Sequence, residues 1–198
     1  MDFEKIIPVE LMQVVLVPES NGVQFKTVTT GRPSWKDVYE GYPKNATNTD
    51  DLPATTIFTD LLGSNYDKAI FGNACATRVS LGLLNGKMVV KTAFKITNKK
   101  HAFYNKGFQT SASGLQTWLS KKDVWGEADV IVKGPSDIST VASKINDKTI
   151  KNGVYIILGG FGGGISGHAT LWIGANKNVI GGHNYVDYGG TVYFWELK

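Results

Sequence analysis

Phe71-Gly72-Asn73-Ala74-Cys75-Ala76-Thr77-Arg78-Val79-Ser80 holds the only cysteine of the chain, and it reads as a loop entering a helix. Asn73 suits the N-cap, because its side chain can accept one of the orphan backbone N–H groups of a first turn. Ala76, Val79 and Leu83 then recur at intervals of three and four, so the spacing predicts a helix over residues 73–84 with Cys75 one turn before Val79. At that place the positive end of the helix dipole favours the thiolate, the form of cysteine that attacks a carbonyl carbon. A lone cysteine also serves as a small buried hydrophobe. Whether a base stands near it decides between the two.

Three histidines are available: His101, His168 and His183. The last two fall in a part of the chain that changes character. Residues 153–158, 168–173, 178–180 and 191–197 are β-branched and aromatic and are separated by glycine-rich turns, the pattern of an antiparallel sheet. Upstream the pattern is helical. Residues 113–119 begin with a capping-box spacing (Ser113, Gln116), and residues 137–146 place Ile138, Val141, Ala142 and Ile145 on one face. Residues 88–96 alternate as a strand or extended segment, and the polar, turn-rich residues 44–56 form a loop. Helices first and strands after make an α+β fold, with the cysteine helix packed on the sheet.

The turn at residues 174–177 folds the following strand back on the His168 strand. If Ile173 pairs with Asn178, Trp172 faces Val179 and, without a bulge, His168 faces His183. A base needs a polar group on its far nitrogen to fix the tautomer, which makes His183 the natural third residue and Asn178 or Asp187 the alternatives in a shifted register. Six glycines in residues 159–167 give a loop beside His168 that can approach a substrate backbone closely. Gly162, Gly164 and Gly167 also match G-x-G-x-x-G. A dinucleotide site would need a helix directly after them, and the strand-like residues 168–173 exclude it. No pair of ligands has zinc spacing, so neither a metal nor another cofactor is expected.

With 198 residues and 42% hydrophobic composition, a single domain is expected over residues 1–198. One cysteine allows no intrachain disulfide. The start of the chain carries Asp2 and Glu4 where a secretory signal would be basic, and no run is long enough to span a membrane. Synthesis in the cytoplasm without a signal peptide, and no membrane insertion, are therefore expected. Net charge is +4, yet no basic run exceeds the doublets Lys99-Lys100 and Lys121-Lys122. The lysines read as a solvated surface and not as a nucleic-acid stripe.

Four blocks together resemble one family: Arg32-Pro33-Ser34-Trp35-Lys36-Asp37-Val38-Tyr39 with Tyr42-Pro43, the Cys75 block, Gly167-His168-Ala169-Thr170-Leu171-Trp172, and Val192-Tyr193-Phe194-Trp195-Glu196-Leu197. The chain is similar, over roughly residues 32–198, to the fourth family of type VI secretion amidase effectors, which leaves about residues 1–31 as an N-terminal extension. The resemblance implies a papain-like NlpC/P60-type fold. It also implies an amidase that cuts peptidoglycan stem peptides between D-glutamate and meso-diaminopimelate, injected by one bacterium into the periplasm of another. By the same likeness Cys75 is the nucleophile, His168 is the base, and a cognate immunity protein is a partner. At the third position the chain departs from the family. An aspartate usually stands about a dozen residues after the histidine, and here that stretch is Asn178-Val179-Ile180-Gly181.

Overall fold

The computed structural model describes residues 17–19, 22–24, 31–163 and 165–198. Two short strands, β1 (Val17–Glu19) and β2 (Gly22–Gln24), pair antiparallel. The rest of the expected extension, residues 1–31, lies outside the described residues apart from these strands and Gly31, as does Gly164 of the glycine-rich loop. Four helices follow: α1 (Trp35–Gly41), α2 (Ala54–Leu62), α3 (Cys75–Asn85) and α4 (Ala112–Leu119). Then come β3 (Val130–Lys133), α5 (Ile138–Ile145), β4 (Asn152–Leu158), β5 (Gly167–Ile173), β6 (Asn178–Val179) and β7 (Thr191–Leu197).

Side chains at the helix starts explain where the helices begin. Ser34 Oγ accepts from the Asp37 N–H at α1, and Asp137 accepts from the Thr140 N–H at α5. The start of α4 differs from the expected capping box. Ser111, not Ser113, is the cap, with its Oγ 3.1 Å from the Gly114 nitrogen, while Gln116 Nε2 turns forward to Ser120 Oγ. Ser113 lies inside the helix.

β3 to β7 form one antiparallel sheet in the order β3-β7-β4-β5-β6. β3, which the sequence pattern did not reveal, pairs along β7 from Val130–Phe194 to Lys133–Thr191. Residues 88–96 are extended but make only a single bridge, Lys95 to Gly107. Val90 and Ile96 are anchored in the helical core, and three backbone hydrogen bonds tie residues 94–96 to residues 105–108.

Alternate residues of the central strands feed two cores. Val154, Ile156, Ala169, Leu171 and Trp195 pack with α1 to α4 on one face. Tyr155, Ile157, Trp172, Val192 and Phe194 pack with Val141, Ala142 and Ile145 of α5 on the other. A strand covered on both faces reads as an almost unbroken apolar run, which β4 shows. Each large side chain so buried contributes about 1.5–3 kcal/mol. α3 packs against β5, and this places the start of α3 at the site.

Candidate active site

Every residue of α3 from Cys75 to Leu84 is buried, Cys75 being 2% exposed. Ala74 occupies the N-cap and offers no side chain, so Asn73 acts from one position earlier, its Oδ1 accepting the Cys75 N–H at 3.0 Å. β6 pairs only with Trp172 and Ile173, which leaves residues 167–171 of β5 without a strand on their outer edge. Cys75 is seated at that edge. The Ala169 N–H faces its thiol, as does the N–H of Ala76. Burial pushes the thiol above its ordinary range, while those two N–H groups and the Arg78 guanidinium pull the other way. The thiolate expected from the helix dipole is therefore not the resting state, because desolvation is the larger effect.

His168 precedes Ala169 on β5, and among the described residues no hydrogen bond joins it to Cys75. Its ring is 8% exposed, with Nε2 buried and unbonded. The Tyr185 ring stands edge-on to it, centroids 4.9 Å apart. Burial, followed by the positive field of Arg78 and His183, pushes its pKa down to about 3. At neutral pH the imidazole is therefore neutral, and burial opposes its protonation.

The hairpin register holds at Ile173–Asn178 and Trp172–Val179 and then fails. Ile180–Gly182 turns into a 3₁₀ turn, with Gly181 at φ +68° and Gly182 at +72°, so the ladder does not continue to His168 opposite His183. His183 lies instead 3.5 Å from Asp50 Oδ1 and stacks on Tyr185, the ring that also meets His168. Asn178 faces Ile173, five residues and about 17 Å along the strand from His168. Its Oδ1 accepts the Val179 N–H at 2.8 Å and Asn184 Nδ2 at 3.2 Å. Asp187 is exposed in the 3₁₀ turn Val186–Tyr188 and is not among the charges acting on His168.

A buried polar cluster behind the cysteine escaped the sequence reading. Arg78 Nη1 lies 3.1 Å from Asp51 Oδ2, and its Nε and Nη2 donate to the Leu52 carbonyl at 3.0 and 2.8 Å. Tyr42 Oη donates to Asp51 Oδ1 at 2.8 Å and meets Thr170 Oγ1 at 3.2 Å. Four separate segments are thus tied together one turn from Cys75. The available signal was Arg78 itself, a charged residue within an otherwise apolar and small-residue helix. Among the described residues no three His, Cys, Asp or Glu side chains group to hold a metal ion, and no helix is long and apolar enough to cross a membrane.

A helix-borne buried thiol, a neutral histidine on the adjoining strand and an antiparallel sheet agree with a family match over residues 71–195, to the type VI secretion system amidase effector protein 4 model, Tae4. The chain belongs to the Tae4 family. It is an amidase effector of that secretion system, a toxin of the peptidoglycan-cleaving kind. The fold also matches solved Tae4 structures. The effector of Enterobacter cloacae, in complex with Tai4, aligns at TM-score 0.61 and 22% identity, over 85% of this chain and 100% of that one. The corresponding Salmonella Typhimurium complex aligns at TM-score 0.63 and 19% identity, again over 85% and 100%. No curated protein sequence matches the chain. The α+β, NlpC/P60-like architecture expected from the sequence is the one found.

Proposed function

We propose that this Tae4 protein cuts the γ-D-glutamyl–meso-diaminopimelate bond of stem peptides through a thioester on Cys75. The observation that carries this reading is the Cys75 thiol set against the Ala169 N–H, one residue from a His168 kept neutral by burial. When substrate arrives, His168 takes the thiol proton and the sulfur attacks the amide carbonyl. Backbone N–H groups beside the thiol hold the developing oxyanion. The protonated His168 then gives its proton to the leaving amine, and water, activated by the same imidazole, hydrolyses the thioester. His183, tied to Asp50, is the third member of the set and orients His168 through the shared contact with Tyr185.

The likeness to effector–immunity complexes supports a cognate immunity protein for this chain as well. Residues 1–198 act as one amidase domain carrying the N-terminal extension, delivered to the periplasm of the target cell.

Muropeptide hydrolysis followed by mass analysis, with thermal unfolding in parallel, tests the chemistry. Cys75→Ala should stay folded and release no product. Wild-type cleavage by the folded variant would end the cysteine mechanism, and products cut at another bond would correct the substrate assignment.

A further inference from the structure

Acidic residues are missing from one long part of the chain. Residues 87–122 carry eight lysines and not one Asp or Glu, which leaves the other 13 Lys and Arg to face all 17 acids elsewhere. A molecule of net charge +4 is therefore divided into a strongly positive region and a net negative remainder. Counting only consecutive lysines hides this, because the eight are spread along the segment.

The fold brings four of them into two close pairs, Lys95 with Lys106 and Lys91 with Lys121. Residues 95 and 107 are bridged, and the Ile96 N–H donates to the Lys106 carbonyl at 3.0 Å. Gln109 Nε2 donates to the Lys91 carbonyl at 3.2 Å. Lys91 and Lys121 stand on the wall of one cavity of about 350 Å³, whose other polar side chains are Gln109, Ser111, Ser113 and Thr117. All eight lysines are exposed, and none forms an ion pair among the described residues. The surface is tied to the nucleophile helix: Thr77 Oγ1 donates to the Gln109 carbonyl and Ser80 Oγ accepts the Gln109 N–H, each at 3.0 Å.

Lysines in excess over carboxylates repel one another and raise the local concentration of a polyanion. Hydroxyls and an amide between two ammonium groups suit a carboxylate. We infer that this surface docks the protein on the sacculus through stem-peptide carboxylates, one of them seated between Lys91 and Lys121. The inference rests on the proposed substrate: a glutamate linked through its γ-carboxyl keeps its α-carboxylate free, so the polymer presents repeated negative charges. Docking beside the nucleophile helix then keeps the enzyme on the polymer between cuts.

Sedimentation with purified sacculi measures this, using the full chain carrying Cys75→Ala so that the polymer is not digested. Retention should fall about tenfold as sodium chloride rises from about 50 to about 500 mM, since exposed charges are screened beyond a few ångströms at the higher salt. Lys91→Glu/Lys95→Glu/Lys121→Glu should weaken retention by a similar factor. The charge-matched control Lys144→Glu/Lys148→Glu/Lys177→Glu should weaken it much less. Sacculi whose carboxylates have been converted to methylamides should lose the protein. Equal losses from the two triple variants would reduce the effect to net charge and overturn the proposal. Undiminished retention on amidated sacculi, or tighter binding to phosphatidylglycerol vesicles or duplex DNA, would also overturn it. Hydrolysis of soluble muropeptides by the wild-type protein is scored separately, so failure of the amidase chemistry and failure of docking give different results.

Discussion

Arg78 Nη1 and Asp51 Oδ2 lie 3.1 Å apart at side-chain exposures of only 10% and 13%, one helical turn beyond the candidate nucleophile. Removing one partner of such a pair leaves the other charge buried and unpaired. Arg78→Ala should therefore destabilise the protein by about 3–5 kcal/mol in urea unfolding. Tyr42→Phe, which removes one hydrogen bond to Asp51, should cost about 1–2 kcal/mol. Equal and small losses from both variants would show that the cluster is not a structural tie.

His168 links stability to pH. Its folded pKa, about 3, lies below the unfolded value of about 6.5, so the unfolded chain takes up this proton first as pH falls. The stability it contributes is complete above about pH 6.5 and drains away towards about pH 3. Melting temperatures across that window should fall less steeply for His168→Gln than for the wild type. Parallel curves would mean that the ring is protonated without penalty in the folded protein.

The thiol of Cys75 should be sluggish at rest. Burial raises its pKa, so iodoacetamide near pH 7.5 should alkylate the folded chain at least roughly tenfold more slowly than the same chain in urea. Faster alkylation of the folded protein, persisting below about pH 7, would point to a resting thiolate–imidazolium pair.

Gly160 has φ +79°, and a Cβ there would stand 1.8 Å from the Tyr188 carbonyl oxygen. Gly160→Ala should cost about 1–3 kcal/mol and depress hydrolysis, because it displaces the segment that carries Tyr185. Gly162→Ala has nothing within 4 Å and should be close to neutral. The reverse order in thermal unfolding would contradict the packing of this loop.

Local patterns were legible wherever one interaction dominated. The spacing of Val79 and Leu83 announced α3, that of Val141, Ala142 and Ile145 announced α5, and the turn after Ile173 gave the register of β5 with β6. β3 was missed because it is only four residues long and pairs with β7 some 60 positions away, a contact that no local pattern encodes. The 88–96 alternation marked an extended segment with Val90 and Ile96 as core anchors, which pairs only around the Lys95–Gly107 bridge. His183 was placed opposite His168 by assuming an unbroken ladder, and the positive φ of Gly181 and Gly182 breaks it. Asp51 was out of reach for a different reason. It sits in a polar loop, and only the fold brings Arg78 and Tyr42 to it.

The brevity of β6 has a consequence for solubility. An uncovered strand edge is a template for pairing with a second chain, and natural proteins hide such edges. In this protein the edge of β5 beyond Trp172 is capped by the start of α3, so the same Ala169 amide that faces the thiol is withheld from intermolecular pairing. Lifting α3 from the sheet would open both the reactive sulfur and an adhesive strand. Damage at the start of α3 should therefore bare a strand edge together with the buried thiol, coupling the integrity of this helix to the solubility of the protein.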